Sequence, residues 1–353
     1  MPQWLLRRAF VAVAFCIASA ANAQDPSFSQ FFLNPLYLNP ANAGINPGIR
    51  AAVNYRNLWG NIPSRFPTFA VSGDAQLPHV ASGLGLSAMH DVEGEGSLHT
   101  QTFGVYYSYM AELDPKRWYL NAGFNTNLVS KRIDWNALVF SDQIDPVLGL
   151  VRPTTSQTPV AENVLYPDFN TGAILRHVHM NRRRGMTLTY TLGFAVNHLI
   201  KPNESILRIT SALPRRYLLH ADVLVPFKTD LKSHKRYLIN PMVVWEQQAP
   251  MNTFMAGCLA LFTPVYVGIL YRNQTPMIAN VQKADAMVVT FGLNDVLPKS
   301  DWTYKLGYSY DLTVSGLKSN THGSHEIALV VENRKFTFVK SAAAKKKFIC
   351  PAF

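Results

Sequence analysis

The chain has 353 residues, a formal net charge of +11, 48% hydrophobic residues and 12% aromatic ones. That length suits one large domain or two ordinary ones, and three cysteines cannot form a disulfide framework in a chain this long. A positive balance would suit nucleic acid, but the export signal at the start of the chain argues against that partner and favours anionic lipid head groups or an acidic protein.

Residues 1–23 read as a secretory signal peptide, with Arg7 and Arg8 as the charged region and Ala9 to Ala18 as the apolar core. Ala21-Asn22-Ala23 is the small-x-small cleavage site. The apolar run is too short for a spanning helix, and bulky Phe15 before Cys16 disfavours lipid attachment. Residues 24–48 follow, rich in Phe, Tyr, Asn and Pro. Asn34-Pro35 and Asn39-Pro40 flank Leu36-Tyr37-Leu38, and proline fixes its own φ while pushing the preceding residue toward extended backbone. The stretch is therefore expected to be an ordered plug of turns. The strand count below puts its start on the periplasmic side, where it enters the lumen or lies across the mouth. Its aromatics Phe28, Phe31 and Tyr37 are candidate partner contacts.

From residue 49 the dominant period is two. Phe103, Val105, Tyr107, Tyr109 and Ala111 alternate with Thr102, Gly104, Tyr106 and Ser108; Leu120, Ala122, Phe124 and Leu128 alternate with Asn121, Gly123, Asn125 and Asn127. Alternation over about ten residues matches a membrane barrel strand, whereas soluble strands average about five or six. No apolar run in the mature chain reaches the roughly 20 residues of a spanning helix. The expected fold is all-β: a transmembrane antiparallel up-and-down β-barrel, residues 49–333, with a secreted β-sandwich as the soluble alternative. Fourteen strands are expected, at 49–56, 66–75, 81–91, 99–112, 117–132, 167–178, 185–197, 216–226, 236–246, 253–262, 265–272, 284–294, 302–312 and 325–333. An even number returns both ends to the periplasm. Connections after even strands are mostly short and those after odd strands often longer, as barrels require. Several short turns are basic, at Lys116-Arg117, Arg182-Arg183-Arg184 and around Lys228 and Lys232. Residues 334–353 form a basic tail.

The longest loop, Ile133 to Tyr166, is long enough to be functional and carries Trp135, Phe140, Asp142 and Asp145 as partner candidates. Arg215 and Arg216 are placed at an outer strand end, able to pair with loop acids or lipid phosphate. No nucleophile elbow, P-loop, His-Glu-x-x-His or paired-cysteine metal spacing is present. His177-Val178-His179 puts two imidazoles on one strand face, a polar pair by default and a metal site only in a minority of such cases. Asp91, Glu93 and Glu95 lack the calcium-loop pattern, and Cys258 reads as a core or lipid-facing residue. No enzyme, no cofactor and no metal site is expected.

Asp25-Pro26-Ser27-Phe28-Ser29-Gln30-Phe31-Phe32, Asn34-Pro35-Leu36-Tyr37-Leu38-Asn39-Pro40-Ala41 and Tyr55-Arg56-Asn57-Leu58-Trp59 open a series of ordered blocks. Ile133-Asp134-Trp135, Phe140-Ser141-Asp142-Gln143-Ile144-Asp145-Pro146, Asn197-His198-Leu199, Pro202-Asn203-Glu204-Ser205 and Leu213-Pro214-Arg215-Arg216-Tyr217 continue it. Gly307-Tyr308-Ser309-Tyr310-Asp311, Ser315-Gly316-Leu317, Ser324-His325-Glu326-Ile327 and Cys350-Pro351-Ala352-Phe353 complete it. In this order they resemble the PorP/SprF family of outer-membrane proteins associated with the type IX secretion system, over nearly the whole mature chain. The resemblance implies a Gram-negative outer-membrane barrel that assists secretion or cell-surface anchoring of a cargo of adhesin or gliding type by binding its C-terminal sorting domain. It also implies partners in the translocon or a periplasmic peptidoglycan-binding lipoprotein, with outer-membrane lipid around the barrel. The alternative, resting on lumen residues such as Asn121, Asn125 and Asn127, is a transport barrel for a small or apolar solute.

Overall fold

A computed structural model describes residues 25–59, 66–77, 79–94, 98–115, 117–145, 147–151, 153–155, 163–181, 186–206, 210–230, 235–276, 284–294, 300–314, 323–333 and 335–336. The expected signal peptide lies outside the described residues, as do Glu95, Lys116, Pro146, Lys232, Arg182-Arg183-Arg184, Ser315-Gly316-Leu317 and all of the expected tail except Lys335 and Phe336.

Fourteen strands close into one antiparallel barrel. In chain order the first five are β1 (Ile49–Leu58), β2 (Phe66–Leu77), β3 (Ser82–Glu93), β4 (Leu98–Asp114) and β5 (Trp118–Ile133). A two-stranded ribbon, β6 (Ile144–Asp145) with β7 (Gly149–Leu150), stands in the loop after β5 and outside the barrel. The wall continues with β8 (Asn163–Asn181), β9 (Met186–Asn197), β10 (Arg216–Asp230), β11 (Lys235–Gln248), β12 (Met251–Phe262), β13 (Val265–Pro276), β14 (Ala284–Asn294), β15 (Trp302–Thr313) and β16 (Ser324–Asn333). Each pairs with its sequence neighbour in the wall, and β1 meets β16 from Ile49↔Asn333 to Leu58↔Ser324. The expected fourteen-strand barrel is the observed one.

The two faces separate as the period requires. Phe103, Val105, Tyr107 and Tyr109 are exposed on the outer face, while Tyr106, Ser108 and Met110 between them are buried inside. In β5 the exposed Leu120, Phe124 and Leu128 alternate with buried Asn121 and Asn125. An apolar band facing lipid costs nothing that burial would recover, and polar side chains are admitted only inside. Cys258 is on the exposed face of β12. An even-stranded barrel puts both chain ends at the periplasmic rim. Ile49 and Asn333 mark that rim, and Leu58 and Ser324 mark the outer one.

Candidate functional site

The lumen is occupied by residues 25–48. Three short helical turns, Phe31–Leu33, Pro35–Leu38 and Pro40–Asn42, succeed one another between Asp25 and Gly48. The Asn-Pro pairs set this rhythm: each proline stands at the first helical position, where a missing N–H is harmless. The Asn39 carboxamide caps the last turn by accepting from the Ala41 N–H at 2.9 Å. Its other end donates to the carbonyls of Ala173 and Phe194 at 3.3 and 3.2 Å, tying the turn to β8 and β9.

Luminal glycines make room for this segment. A Cβ at Gly123 would lie 2.3 Å from the Ala41 nitrogen, and one at Gly83 would lie 2.1 Å from the Ala43 carbonyl oxygen. Gly44 itself has φ +59°, so both the close approach and the backbone angle require glycine there. Opposite, an apolar patch lies on the inner wall of β11 to β14. Phe31 and Phe32 cover Met242, Met255, Leu259, Leu270 and Val288, and Leu33 packs on Ala52, Ala328 and Val330.

Ion clusters hold the segment at its two ends. At the outer rim, Ser29 sits among Arg56, Arg272, Asp311 and Glu326, all buried. Arg56 pairs with Asp311 at 2.7 Å and with Glu326 at 2.9 Å, and Arg272 pairs with Asp311 at 2.9 Å. The Ser29 hydroxyl receives from Arg56 at 2.6 Å and from Arg272 at 3.1 Å, and donates to Asp311 at 2.8 Å. The Ser29 and Gln30 N–H groups both donate to the Glu326 carboxylate, at 2.7 and 3.1 Å. Two cations and two anions balance, so each buried charge is compensated. Near the periplasmic rim Asp74 accepts from the Gly44 N–H at 2.8 Å and pairs with Arg50 at 2.7 Å.

A second outer cluster fastens Asp25. His198 donates to Asp25 at 2.7 Å and to Asp168 at 2.9 Å. Arg216 lies 3.6 Å from Asp25, pairs with Glu246 at 2.9 Å, donates to the Tyr37 hydroxyl at 3.2 Å and stacks on the Tyr37 ring at 5.2 Å. The Tyr37 hydroxyl donates in turn to the Pro26 carbonyl. Burial alone would lower the His198 pKa, but the carboxylates of Asp25 and Asp168 push it up to about 10. Burial would raise the Asp25 carboxyl, yet His198 and Arg216 hold it well below the usual carboxylate range.

The Asp25 N–H also donates to the Gln248 carboxamide at 3.0 Å, and His198, Arg216 and Gln248 stand at outer strand ends, so Asp25 is at the outer rim and the segment runs from there down to Gly48. This corrects the sequence expectation that the segment starts on the periplasmic side. Only its C-terminal end is there, because chain continuity constrains Gly48 alone and the distant ion partners pull Asp25 to the opposite end.

The nine candidate residues fall into three sets. Phe28, Phe31, Tyr37 and Arg216 belong to the luminal assembly: Phe28 is buried edge-on against Tyr37, with centroids 5.1 Å apart. Arg215 is exposed, with its guanidinium donating to the Leu199 carbonyl at 2.9 Å. The others lie in the loop after β5. Asp142 accepts from the Thr155 N–H at 2.6 Å and from the Thr154 and Thr155 hydroxyls, and these donors lower its pKa. Asp145 accepts from the N–H groups of Val147 and Leu148, which lowers its own. Both carboxylates therefore shape turns. Trp135 and Phe140 are half-buried. The residues this loop presents outward are Val139, Ile144, Val147, Leu148, Leu150 and Val151, all exposed. Sequence reasoning did not choose them as contacts, because aliphatic side chains in a loop do not show from the sequence which way they face.

His177 is on the outer face near the periplasmic rim, between Trp118 at 4.3 Å and Tyr190 at 6.0 Å, with His179 beside it at 6.4 Å. That is an interfacial aromatic girdle. Among the described residues no group of three or more His, Cys, Asp or Glu side chains is arranged to hold a metal.

No curated protein matches the chain in sequence. Among solved structures, similarity extends to a Pseudomonas aeruginosa FadL homologue, at 12% identity over 89% of this chain and 95% of that one, TM-score 0.42. The Ralstonia pickettii toluene transporter TbuX is similar at 9% identity over 85% and 92%, TM-score 0.40. The translocator domain of autotransporter NalP from Neisseria meningitidis is similar at 11% identity over 80% and 87%, TM-score 0.32. The family described as Type IX secretion system membrane protein PorP/SprF matches residues 20–331. With nearly the whole barrel and the luminal segment inside that match, the chain belongs to the PorP/SprF family of outer-membrane barrels.

Proposed function

We propose that this protein is a non-enzymatic outer-membrane component of the type IX secretion system that assists secretion or surface anchoring of cargo. It does so by docking the cargo's C-terminal sorting domain on the loops of its outer rim. The observation that carries this reading is the loop after β5. Asp142 and Asp145 are spent on its own turns, and it displays Val139, Ile144, Val147, Leu148, Leu150 and Val151 to the outside. An exposed apolar patch on a pre-shaped loop is what a partner-binding surface looks like. The lumen beside it is occupied and ion-paired, which suits a scaffold better than an open pore.

The test is affinity recovery from native membranes, comparing wild type with Val147→Asp/Leu148→Asp. Recovery of a sorting-domain protein with wild type, and at least tenfold less with the variant, is expected. Equal recovery would remove the loop from the reading, and a surface proteome unchanged by gene deletion would remove the cargo role.

A second reading has its own support. The inner-wall patch of Met242, Met255, Leu259, Leu270 and Val288 is apolar, and Phe31 and Phe32 pack over it. A segment that moved aside would open an apolar path for a small solute. Solute-dependent conductance of purified protein in a planar bilayer would favour transport over scaffolding.

A further inference from the structure

The lipid-facing wall is not uniform. On β3 to β5 polar side chains gather on it at the outer strand ends. His90 stands opposite Gln101, Gln101 opposite Ser130, and His99 opposite Arg132. Directly paired residues share a face. That face is the outer one, because His90 also stands opposite exposed Phe69, and Phe103 four residues beyond His99 is 58% exposed. His90 and His99 stack with ring centroids 5.5 Å apart and planes at 26°. Arg132 is exposed and makes no ion pair among the described residues. The Nδ1 of His90 is shielded from solvent and has no hydrogen-bond partner among them. These residues are at the outer ends of their strands, just above the apolar belt.

Directly below them the same face is hollowed. A groove of about 740 Å³ runs across β1 to β5 and β8. Its floor is made by small residues, Gly73 and Ala88, and its sides by Leu86, Phe103, Val105 and Leu128. Ala88 is two residues from His90, Phe103 two from Gln101, and Leu128 two from Ser130, so the groove opens straight into the basic patch. A cavity lined by hydrocarbon with donors clustered at one end has the polarity of a single amphiphile: acyl chains below, an anionic head above.

We infer that this surface is a binding site for one phosphorylated glycolipid of the outer leaflet, of the lipid A type. A head-group phosphate is held by His90, His99 and Arg132, and an acyl chain lies in the groove floored by Gly73 and Ala88. Guanidinium and imidazole donors are suited to phosphate oxygens. The position at the outer rim selects the leaflet, and the groove selects an acylated ligand over inorganic phosphate. The site stands on the opposite face of the wall from the lumen and does not depend on the cargo reading.

The test is native mass spectrometry of the full-length protein, loaded with bis-phosphorylated lipid A and exchanged into fresh detergent. Wild type is expected to retain one lipid A. His90→Ala/His99→Ala/Arg132→Gln is expected to retain at least tenfold less, as is Gly73→Leu, which fills the groove floor without touching the head site. A heat-modifiable gel shift checks that each variant is folded. Dephosphorylated lipid A should be retained at least tenfold less by wild type, and phosphatidylethanolamine or inorganic phosphate in excess should not displace the glycolipid. Equal retention by wild type and both folded variants, or displacement by phosphatidylethanolamine, would reduce the site to ordinary annular lipid and overturn the inference.

Discussion

His198 carries a stability that depends on pH in a direction the geometry dictates. Its folded pKa, about 10, lies above the ordinary value of 6.5. Its contribution is therefore fully present below about pH 6.5, declines above that, and is lost once pH passes about 10. Asp25 works the other way: its depressed carboxyl contributes above the ordinary carboxylate range and loses that contribution as pH falls through it. Unfolding measured in detergent from pH 6 to 10 should show wild type losing stability relative to His198→Gln; parallel curves would mean that the pair with Asp25 does not form. Arg56 is the other decisive residue. Replacing it by Met leaves Asp311 and Glu326 with Arg272 as their one cation, at a cost of about 3–5 kcal/mol. Arg272→Met/Asp311→Leu, which removes one charge of each sign, should cost less than Arg56→Met in the same unfolding assay.

At the scale of elements, the N-terminal segment is separable from the wall. The strands satisfy one another's backbone groups all round, so the wall needs no help from the lumen to be a closed sheet. Gly123→Leu should therefore expel the Pro40–Asn42 turn while leaving a heat-modifiable barrel. Planar-bilayer conductance should rise at least several-fold over wild type, and an unchanged trace would show that the segment does not close the pore. The loop after β5 is organised more locally. Asp142→Ala removes the acceptor shared by Thr154 and Thr155, and limited proteolysis of intact cells should cut that loop faster than wild type, with the barrel protected.

At the scale of the whole molecule, legibility follows the range of the interactions. Strands were readable because the lipid and lumen faces impose period two within each one: 284–294 was expected where β14 runs from Ala284 to Asn294, and 265–272 where β13 runs from Val265 to Pro276. The largest shortfall, 167–178 against Asn163–Asn181, falls at both ends; at the first, the strand runs on past Pro167, which pairs with Leu128 inside the wall. Turns set by Asn-Pro pairs and loop acids were readable in kind for the same reason, being local. The luminal clusters were not. Ser29, Arg56, Arg272, Asp311 and Glu326 come from five places in the chain, and nothing in the pattern around any of them announces the others. Arg216 is expected at an outer strand end, pairing with loop acids or lipid phosphate; its strand position is as expected, but alternation turns it inward to Asp25 and Glu246.

The contacts of Ser29 and Gln30 have one more consequence. They are made with Arg56 on β1 and Glu326 on β16, the two strands whose pairing closes the wall. Ser29 and Gln30 thus clasp the first and last strands of the wall together from within. Segment and seam are therefore coupled: a change at Ser29 reaches the β1–β16 junction directly, through Arg56 on one side and Glu326 on the other.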